Sequence, residues 1–189
     1  MNFDFKEITE LICRLYVSFF LFIYGIAKLF GAQFYTAEKI PDEVAQMPIG
    51  IAPDFELAWA FMGRSFGYML FIGLSEMIGA ILLLPNKTKL IGTLMLIPIM
   101  VNVIVFDIFF LDEYGALASA IIYLIMLLTI LGINKDKMIS ILKELFPTRV
   151  PLQISSKEKI IKYLIVFGII LLIFLGNQLI VSFFGYGKG

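Results

Sequence analysis

Ionisable and amide side chains placed within long apolar stretches are the residues of this chain that could do chemistry. They are Arg14, Lys28, Glu76, Asn102 and Asp107. An ionisable side chain in the middle of a bilayer costs about 2.5–3.5 kcal/mol on insertion scales, so each one needs a partner or a function. The set has three interpretations: buried ion pairs that fix helix register, a polar pocket for a small molecule or quinone headgroup, or a proton or ion path. The absence of histidine disfavours the third.

The polar residues of the first apolar segment form one stripe along a predicted helix. Steps of four, three, four and three positions separate them, and they are Arg14, Ser18, Leu21, Gly25 and Lys28. Residues at this spacing share one helix face, and a face that mixes charge, hydroxyl and glycine packs against protein rather than lipid. The stripe is therefore predicted to face other helices.

Glu76 is predicted to point into the same helix bundle. Small residues that let another backbone approach lie close to it on the helix surface: Gly73, Gly79 and Ala80. When the depth of each residue is counted from the end of its span at 1.5 Å per residue, the side chain of Arg14 can reach Glu76 from one side of the membrane. The same counting places Lys28 and Asp107 together toward the other side. The sequence thus predicts an Arg14–Glu76 pair and a Lys28–Asp107 pair.

Asn102 lies on the same predicted helix as Asp107, four residues after Pro98. The proline leaves the backbone carbonyl of Leu94, one turn earlier, without its helical hydrogen bond. That carbonyl is two turns away from the Asn102 amide. We therefore expect that amide to bond across to another helix. Five positions correspond to about 140° around a helix, so Asn102 and Asp107 are not expected to face one groove squarely.

The composition indicates an integral membrane protein. Of 189 residues, 60% are hydrophobic and 16% are charged, with a mean hydropathy of +0.95, against about 45–50% and about 25% in soluble domains. Fifteen basic residues balance fifteen acidic ones, which argues against nucleic acid as a partner. There is no histidine and one cysteine, Cys13, so His-ligated haem, His-metal centres, CxxC redox chemistry and an internal disulfide are excluded.

Five segments meet the length of about 20 mainly apolar residues that a membrane-spanning helix needs. They are Leu11–Phe30, Ser65–Leu84, Leu90–Phe110, Tyr114–Ile133 and Ile160–Phe184. None shows the alternation of apolar and polar residues, over about ten positions, that a strand of a membrane barrel requires. The predicted fold class is an all-α membrane protein: an antiparallel four-helix transmembrane bundle, with short second and third connections, and a fifth, C-terminal transmembrane helix.

Basic residues near the span ends predict the orientation. With a cytoplasmic N-terminus, the inner side receives eleven basic residues and the outer side receives three, Lys39, Arg64 and Lys188. We therefore predict a multi-pass protein of the cell (inner) membrane with its N-terminus cytoplasmic and its C-terminus outside.

The chain is predicted to have one membrane domain with two connections of note. Residues 1–133 form the four-span part, including an acidic outer loop at 31–64 in which Asp54 is expected to cap a short helix that begins at Phe55. Phe55, Trp59 and Met62 share one face of that helix. Residues 134–159 form a cytoplasmic connection with an amphipathic helix, Asp136–Phe146, that Pro147 stops. Residues 160–189 form the fifth span and a short outer tail.

Several short motifs in residues 10–133 resemble the DoxX family of small membrane proteins. The similarity lies in Arg14 with Gly25-Ile26-Ala27-Lys28-Leu29, in the segment Gly73–Leu84 with the following Lys87-Thr88-Lys89, and in the Pro98/Asn102 helix. By likeness, Arg14, Lys28 and Glu76 match the polar motif of that family. The long first loop and the fifth span lie outside its usual four-helix pattern.

The resemblance implies a role beside redox enzymes, since that family takes its name from a subunit associated with a terminal quinol oxidase. Without histidine the chain cannot hold an oxidase's haem or copper core. We therefore expect a non-catalytic accessory subunit of a membrane redox assembly, without an intrinsic cofactor, that offers a quinone or lipid pocket. Its expected partners are the bilayer and a membrane or cytoplasmic redox protein. The alternatives are a small-solute or ion transporter, and a scaffold or chaperone for other membrane proteins.

Overall fold

The computed structural model describes residues 4–111, 114–146 and 156–184, which form helices and connections without any strand. Residues 1–145 and 146–189 are separate compact units. The first unit contains α1 (Phe5–Leu29), α2 (Asp42–Ala45), α3 (Asp54–Gly63), α4 (Phe66–Leu83), α5 (Lys89–Phe110), α6 (Tyr114–Ile133) and α7 (Lys135–Leu145). The second contains α8 (Ser156–Phe184). Outside the described residues lie Pro147, Arg149, Lys188 and the predicted outer tail, 185–189.

Among the described residues, five helices are long and apolar enough to cross a membrane: α1, α4, α5, α6 and most of α8. This confirms the predicted all-helical, multi-pass membrane class. The observed helix α1 begins six residues before the predicted span, because Asp4 caps it by accepting a hydrogen bond from the Lys6 backbone N–H at 2.9 Å. Gly31, with φ of 60°, ends it in the left-handed region that favours glycine.

The four long helices of the first unit pack in a closed order: α1 contacts α4 and α6, and α5 contacts the same two helices. The core between them is apolar, and its fully buried members include Val17, Leu21, Leu83, Leu96, Leu127 and Ile130. Large apolar side chains also cover the outer faces of these helices, such as Phe19, Ile78 and Ile125. This distribution suits helices surrounded by lipid, which is as apolar as the core.

Glycine allows α1 and α4 to approach closely. A Cβ atom added to Gly25 would lie 2.7 Å from the carbonyl oxygen of Gly73, and one added to Gly73 would lie 2.9 Å from that of Gly25. Gly92 on α5 is similar, because its Cβ would lie 2.8 Å from the Gly79 carbonyl oxygen on α4. The small residues predicted around Glu76 are therefore helix-contact positions.

The connection between α1 and α4 folds back on itself before it reaches α4. Within it, α3 contacts α4 and α5. The Tyr35 backbone N–H donates to the Trp59 carbonyl oxygen at 3.3 Å, and the backbone of Tyr35 lies where a Cβ of Gly63 would be. The expected Asp54 cap is wrong: Asp54 is the first helical residue, and Pro53 before it provides no side-chain cap.

The amphipathic helix predicted at Asp136–Phe146 is present as α7, one residue earlier. Its Met138 backbone N–H donates to the carbonyl oxygen of Asn134, so α7 follows α6 with little interruption. Its exposed apolar residues, Ile139, Leu142 and Leu145, are available to a membrane surface.

Candidate functional site

A cavity of about 740 Å³ lies among α1, α4, α5 and α6, with α3 at its edge. Its lining includes Lys28, Glu76, Asn102 and Asp107, four of the five polar residues singled out by the sequence. The cavity size falls within the range of about 300–1,000 Å³ that small-molecule sites occupy. We call this space the central cavity. Arg14 is not part of it.

A buried ion pair lies at the wall of the central cavity. The Lys28 Nζ atom is 2.9 Å from Oε1 and 2.7 Å from Oε2 of Glu76, and the two residues are only 7% and 3% exposed. The predicted Arg14–Glu76 pair is therefore wrong. Counting depth from the ends of the spans neglected the reach of the Lys28 side chain, which extends along its helix as far as the carboxylate.

Arg14 instead binds the end of α4. Its Nε donates to the Leu83 carbonyl oxygen at 2.9 Å, its Nη2 donates to the Leu84 carbonyl oxygen, and its Nη1 donates to Oδ1 of Asn86 at 2.6 Å. The last carbonyls of a helix have no partner within the helix and carry partial negative charge. The guanidinium satisfies these groups, so Arg14 fastens α1 to the C-terminus of α4.

Glu10 completes this second polar cluster, which is apart from the central cavity. Its carboxylate accepts from Lys89 Nζ at 2.5 Å, from Asn134 Nδ2 at 2.7 Å and from Arg14 Nη1 at 3.2 Å. It joins α1 to the start of α5 and the end of α6. Sequence reasoning did not select Glu10, Lys89 or Asn134, although Glu10 and Arg14 are spaced i, i+4. We call these residues, with Arg14 and Asn86, the Glu10 cluster.

Asp107 lines the central cavity and is 5% exposed. In the described part of the chain its carboxylate has no hydrogen bond and no ion pair within 4.0 Å. It interacts with Lys28 only by longer-range charge attraction. The predicted Lys28–Asp107 contact pair is thus wrong, because Glu76 takes both near positions at the ammonium.

Two amide side chains also line the central cavity. Gln33, which follows α1, has an Oε1 atom that is buried without a hydrogen-bond partner, and sequence reasoning did not select it. Asn102 is exposed and has no hydrogen bond among the described residues, so the expected bond to another helix is wrong. Asn102 and Asp107 are not expected to face one groove squarely, but both line the central cavity, with Asn102 exposed and Asp107 buried. The cavity is wide enough to contact both.

Aromatic rings make up much of the remaining lining. Phe55 and Trp59 of α3 stack with ring centroids 4.3 Å apart, and Phe34 meets Trp59 edge-on at 5.4 Å. Tyr24 and Tyr123 also line the cavity, with ring centroids 6.4 Å apart and ring planes tilted by 50°. The predicted shared face of Phe55, Trp59 and Met62 is confirmed, and it contacts the cavity. A lining of this kind binds the apolar body of a ligand, while a few polar groups fix its orientation.

The chain has a bacterial relative. The uncharacterised protein YwoB of Bacillus subtilis (strain 168) is 34% identical to it over 131 residues, which cover 69% of this chain and 80% of YwoB. No family model matches the chain. No solved structure matches it either.

Proposed function

The chain belongs to the family of YwoB, and we propose that it is a membrane protein that binds a small amphipathic molecule in its central cavity. The observation that supports this proposal is that the cavity combines aromatic walls with polar atoms that have no protein partner among the described residues. Asp107 is 5% exposed, and its carboxylate has no hydrogen bond in the described part of the chain, while the Oε1 atom of Gln33 is buried without a partner. Buried polar groups in proteins are satisfied by a partner as a rule, so a ligand that bonds to them would complete the site.

In this proposal α1, α4, α5 and α6 form an antiparallel transmembrane bundle, and α8 is a fifth span. The contacts between α1 and α4 support opposite directions. Ser18 Oγ donates to the Ala80 carbonyl oxygen at 2.9 Å, and further along α1 the close approach is between Gly25 and Gly73. Positions thus rise along α1 as they fall along α4. The bias of basic residues supports a cytoplasmic N-terminus and an outer C-terminus in the inner membrane.

We further propose that the chain is a non-catalytic accessory subunit of a membrane redox assembly. The resemblance of its Arg14, Lys28 and Glu76 motifs to the DoxX family supports this role. A quinone or a lipid is the candidate occupant, because both have a polar head that suits the Lys28–Glu76 wall and an apolar body that suits the aromatic rings. A membrane or cytoplasmic redox protein is the candidate partner.

Ligand binding is tested on the full chain purified in mild detergent. Trp59 is the only tryptophan of the chain and lines the central cavity, so its fluorescence reports on an occupant. Organic extraction followed by mass spectrometry identifies quinone or lipid that remains bound. We expect an extracted amphiphile at a fixed ratio to protein, and saturable quenching of Trp59 when it is added back.

Two substitutions on α6 make a matched pair for this test. Ala116 lines the central cavity, whereas Ala118 is exposed and does not. Ala116→Phe fills space and is expected to reduce the bound amphiphile at least tenfold, while Ala118→Phe leaves it unchanged. Equal retention in both variants, or no retained molecule in any preparation, would argue against a ligand site. If no redox enzyme co-purifies with the chain, that result argues against the accessory role and leaves the ligand site in place.

A further inference from the structure

The charges around the central cavity do not balance. Its described lining holds one ammonium group, that of Lys28, and two carboxylates, those of Glu76 and Asp107. Both oxygens of Glu76 contact the ammonium at 2.7–2.9 Å. Asp107, 5% exposed, keeps a carboxylate without a contacting cation. With both carboxyl groups ionised, the formal charge of the site is −1, and the unpaired charge lies at Asp107.

A carboxylate that is largely withdrawn from water and has no contacting cation is costly, because its lost hydration is not repaid by a nearby opposite charge. The second unpartnered atom of the cavity, Oε1 of Gln33, is also a hydrogen-bond acceptor. The molecule that satisfies both groups must therefore supply N–H or O–H donors. Of the two candidate occupants proposed above, a quinone offers only acceptor oxygens at its head and leaves both groups unsatisfied, whereas a lipid whose head carries N–H donors can satisfy them.

The aromatic lining favours a positive charge as well. A cation over the face of a tryptophan, tyrosine or phenylalanine ring within about 6 Å is attracted by the ring quadrupole, most strongly by tryptophan. Trp59, Tyr24 and Tyr123 are among the residues that line the cavity. Lys28 is the one arginine or lysine in the described lining, so it alone repels an incoming cation. Glu76 neutralises the charge of Lys28.

The connection that contains α3 adds a field of the same sign. Residues 31–64 include two basic residues, Lys39 and Arg64, against five acidic ones, which are Glu38, Asp42, Glu43, Asp54 and Glu56. Acidic groups beside a site with low-dielectric walls raise the local concentration of cations. The charge of the connection and the charge of the cavity therefore favour the same class of ligand.

We propose that the occupant of the central cavity carries an ammonium group that pairs with Asp107, while its apolar part packs against the aromatic rings. This inference rests on the proposed function, that the cavity binds an amphipathic molecule, and it specifies the head of that molecule. The ammonium can come from an aminophospholipid headgroup, as in phosphatidylethanolamine, or from a free amphipathic amine.

The experiment compares two probes of equal size, 4-phenylbutylamine and 4-phenylbutanol, by Trp59 fluorescence with the full chain in phosphatidylglycerol nanodiscs. We expect saturable quenching by the amine at a concentration at least tenfold lower than by the alcohol. The comparison uses the unaltered chain and does not depend on the folding of a variant.

Two variants then assign the charge. Asp107→Asn is expected to weaken amine binding at least tenfold and alcohol binding much less, because the alcohol loses one neutral hydrogen bond and no ion pair, and Asp107→Glu is expected to restore most of the amine binding. Asp136→Asn, on exposed α7, is the matched control and is expected to have no effect. Equal binding of the two probes, unchanged by Asp107→Asn, would overturn the inference while the proposed ligand site stands. Absence of binding by either probe, together with no extracted amphiphile, would overturn the proposed site itself.

The same nanodiscs distinguish the sources of the ammonium. If phosphatidylethanolamine is the occupant, adding it to the nanodisc is expected to raise the apparent amine dissociation constant. An unchanged constant assigns the site to a free amine. Both outcomes support an ammonium-bearing ligand.

Discussion

Lys28 on α1 and Glu76 on α4 are 48 positions apart, and both carboxylate oxygens of Glu76 contact the same ammonium group. Each residue is more than nine-tenths buried. The pair neutralises two of the three charged groups in the described lining of the central cavity, which leaves Asp107 as the group that defines the electrostatics of the site. It also connects the site to the α1–α4 contact.

Removal of one member of this pair is expected to destabilise the protein more than removal of both. Lys28→Met leaves the Glu76 carboxylate buried without a cation, a change that costs about 3–5 kcal/mol for a buried pair. Lys28→Met with Glu76→Leu is expected to recover a large part of that loss. Thermal unfolding in detergent, followed by circular dichroism, measures both.

The same double-mutant cycle on Arg14 and Glu76 is its control. These residues are not in contact, so their effects are expected to add to within about 0.5 kcal/mol. A coupling between Arg14 and Glu76 as large as that between Lys28 and Glu76 would contradict the observed pairing.

Arg14→Lys is expected to destabilise the chain although the charge is kept. A lysine ammonium cannot reproduce the planar set of donors that reaches Leu83, Leu84 and Asn86 together, and each lost hydrogen bond from a charged group is worth about 1.5–3 kcal/mol. We expect a lower unfolding temperature in detergent. Arg64→Lys, at an exposed position, is the control and is expected to unfold like the unaltered protein.

Gly25→Ala is expected to separate α1 from α4. Its Cβ would lie 2.5 Å from Cγ of Met77 and 2.7 Å from the backbone oxygen of Gly73, which cannot move without shifting α4. Loss of stability and weaker ligand binding are expected together, because Lys28 is on the same face of α1 one turn away. Gly115→Ala on α6 has no atom within 4 Å of the new Cβ, so a destabilisation as large as that of Gly25→Ala would show that the loss does not come from the α1–α4 contact.

Membrane orientation can be read from cysteine labelling in a Cys13→Ala background. Cys13 is buried, and Glu43 and Lys87 are exposed in connections on opposite sides of the proposed bundle. A membrane-impermeant maleimide is expected to label Glu43→Cys on intact cells and Lys87→Cys only after permeabilisation. The reverse pattern would place the N-terminus outside.

The helices and the polar positions could be predicted from sequence because both depend on local composition. Long apolar runs gave the spans to within a few residues, and spacing placed Phe55, Trp59 and Met62 on one face. The longer extent of α1 was missed because a helix continues past the bilayer when its first turn is capped, as at Asp4.

The partners of the polar residues could not be predicted, because they depend on how deep each helix lies and on the direction of long side chains. Counting residues from the span ends assigned Glu76 to Arg14, whereas the carbonyls at the end of α4 compete for that guanidinium. Glu10 and Asn134 lie at span ends, where a polar residue is ordinary. Gln33 follows the helix in a segment without periodicity, so no pattern indicated that it would line the central cavity.

Tyr35 contacts both Trp59 and Gly63. The segment between Tyr35 and Trp59 is therefore a loop whose two ends are in contact with each other. Lengthening such a segment costs little, since each doubling of a flexible loop adds only about 0.6 kcal/mol of closure entropy. Gly50, which has open space around it, is therefore a suitable place to insert an epitope tag or a purification handle. An insertion there leaves both anchor points in place.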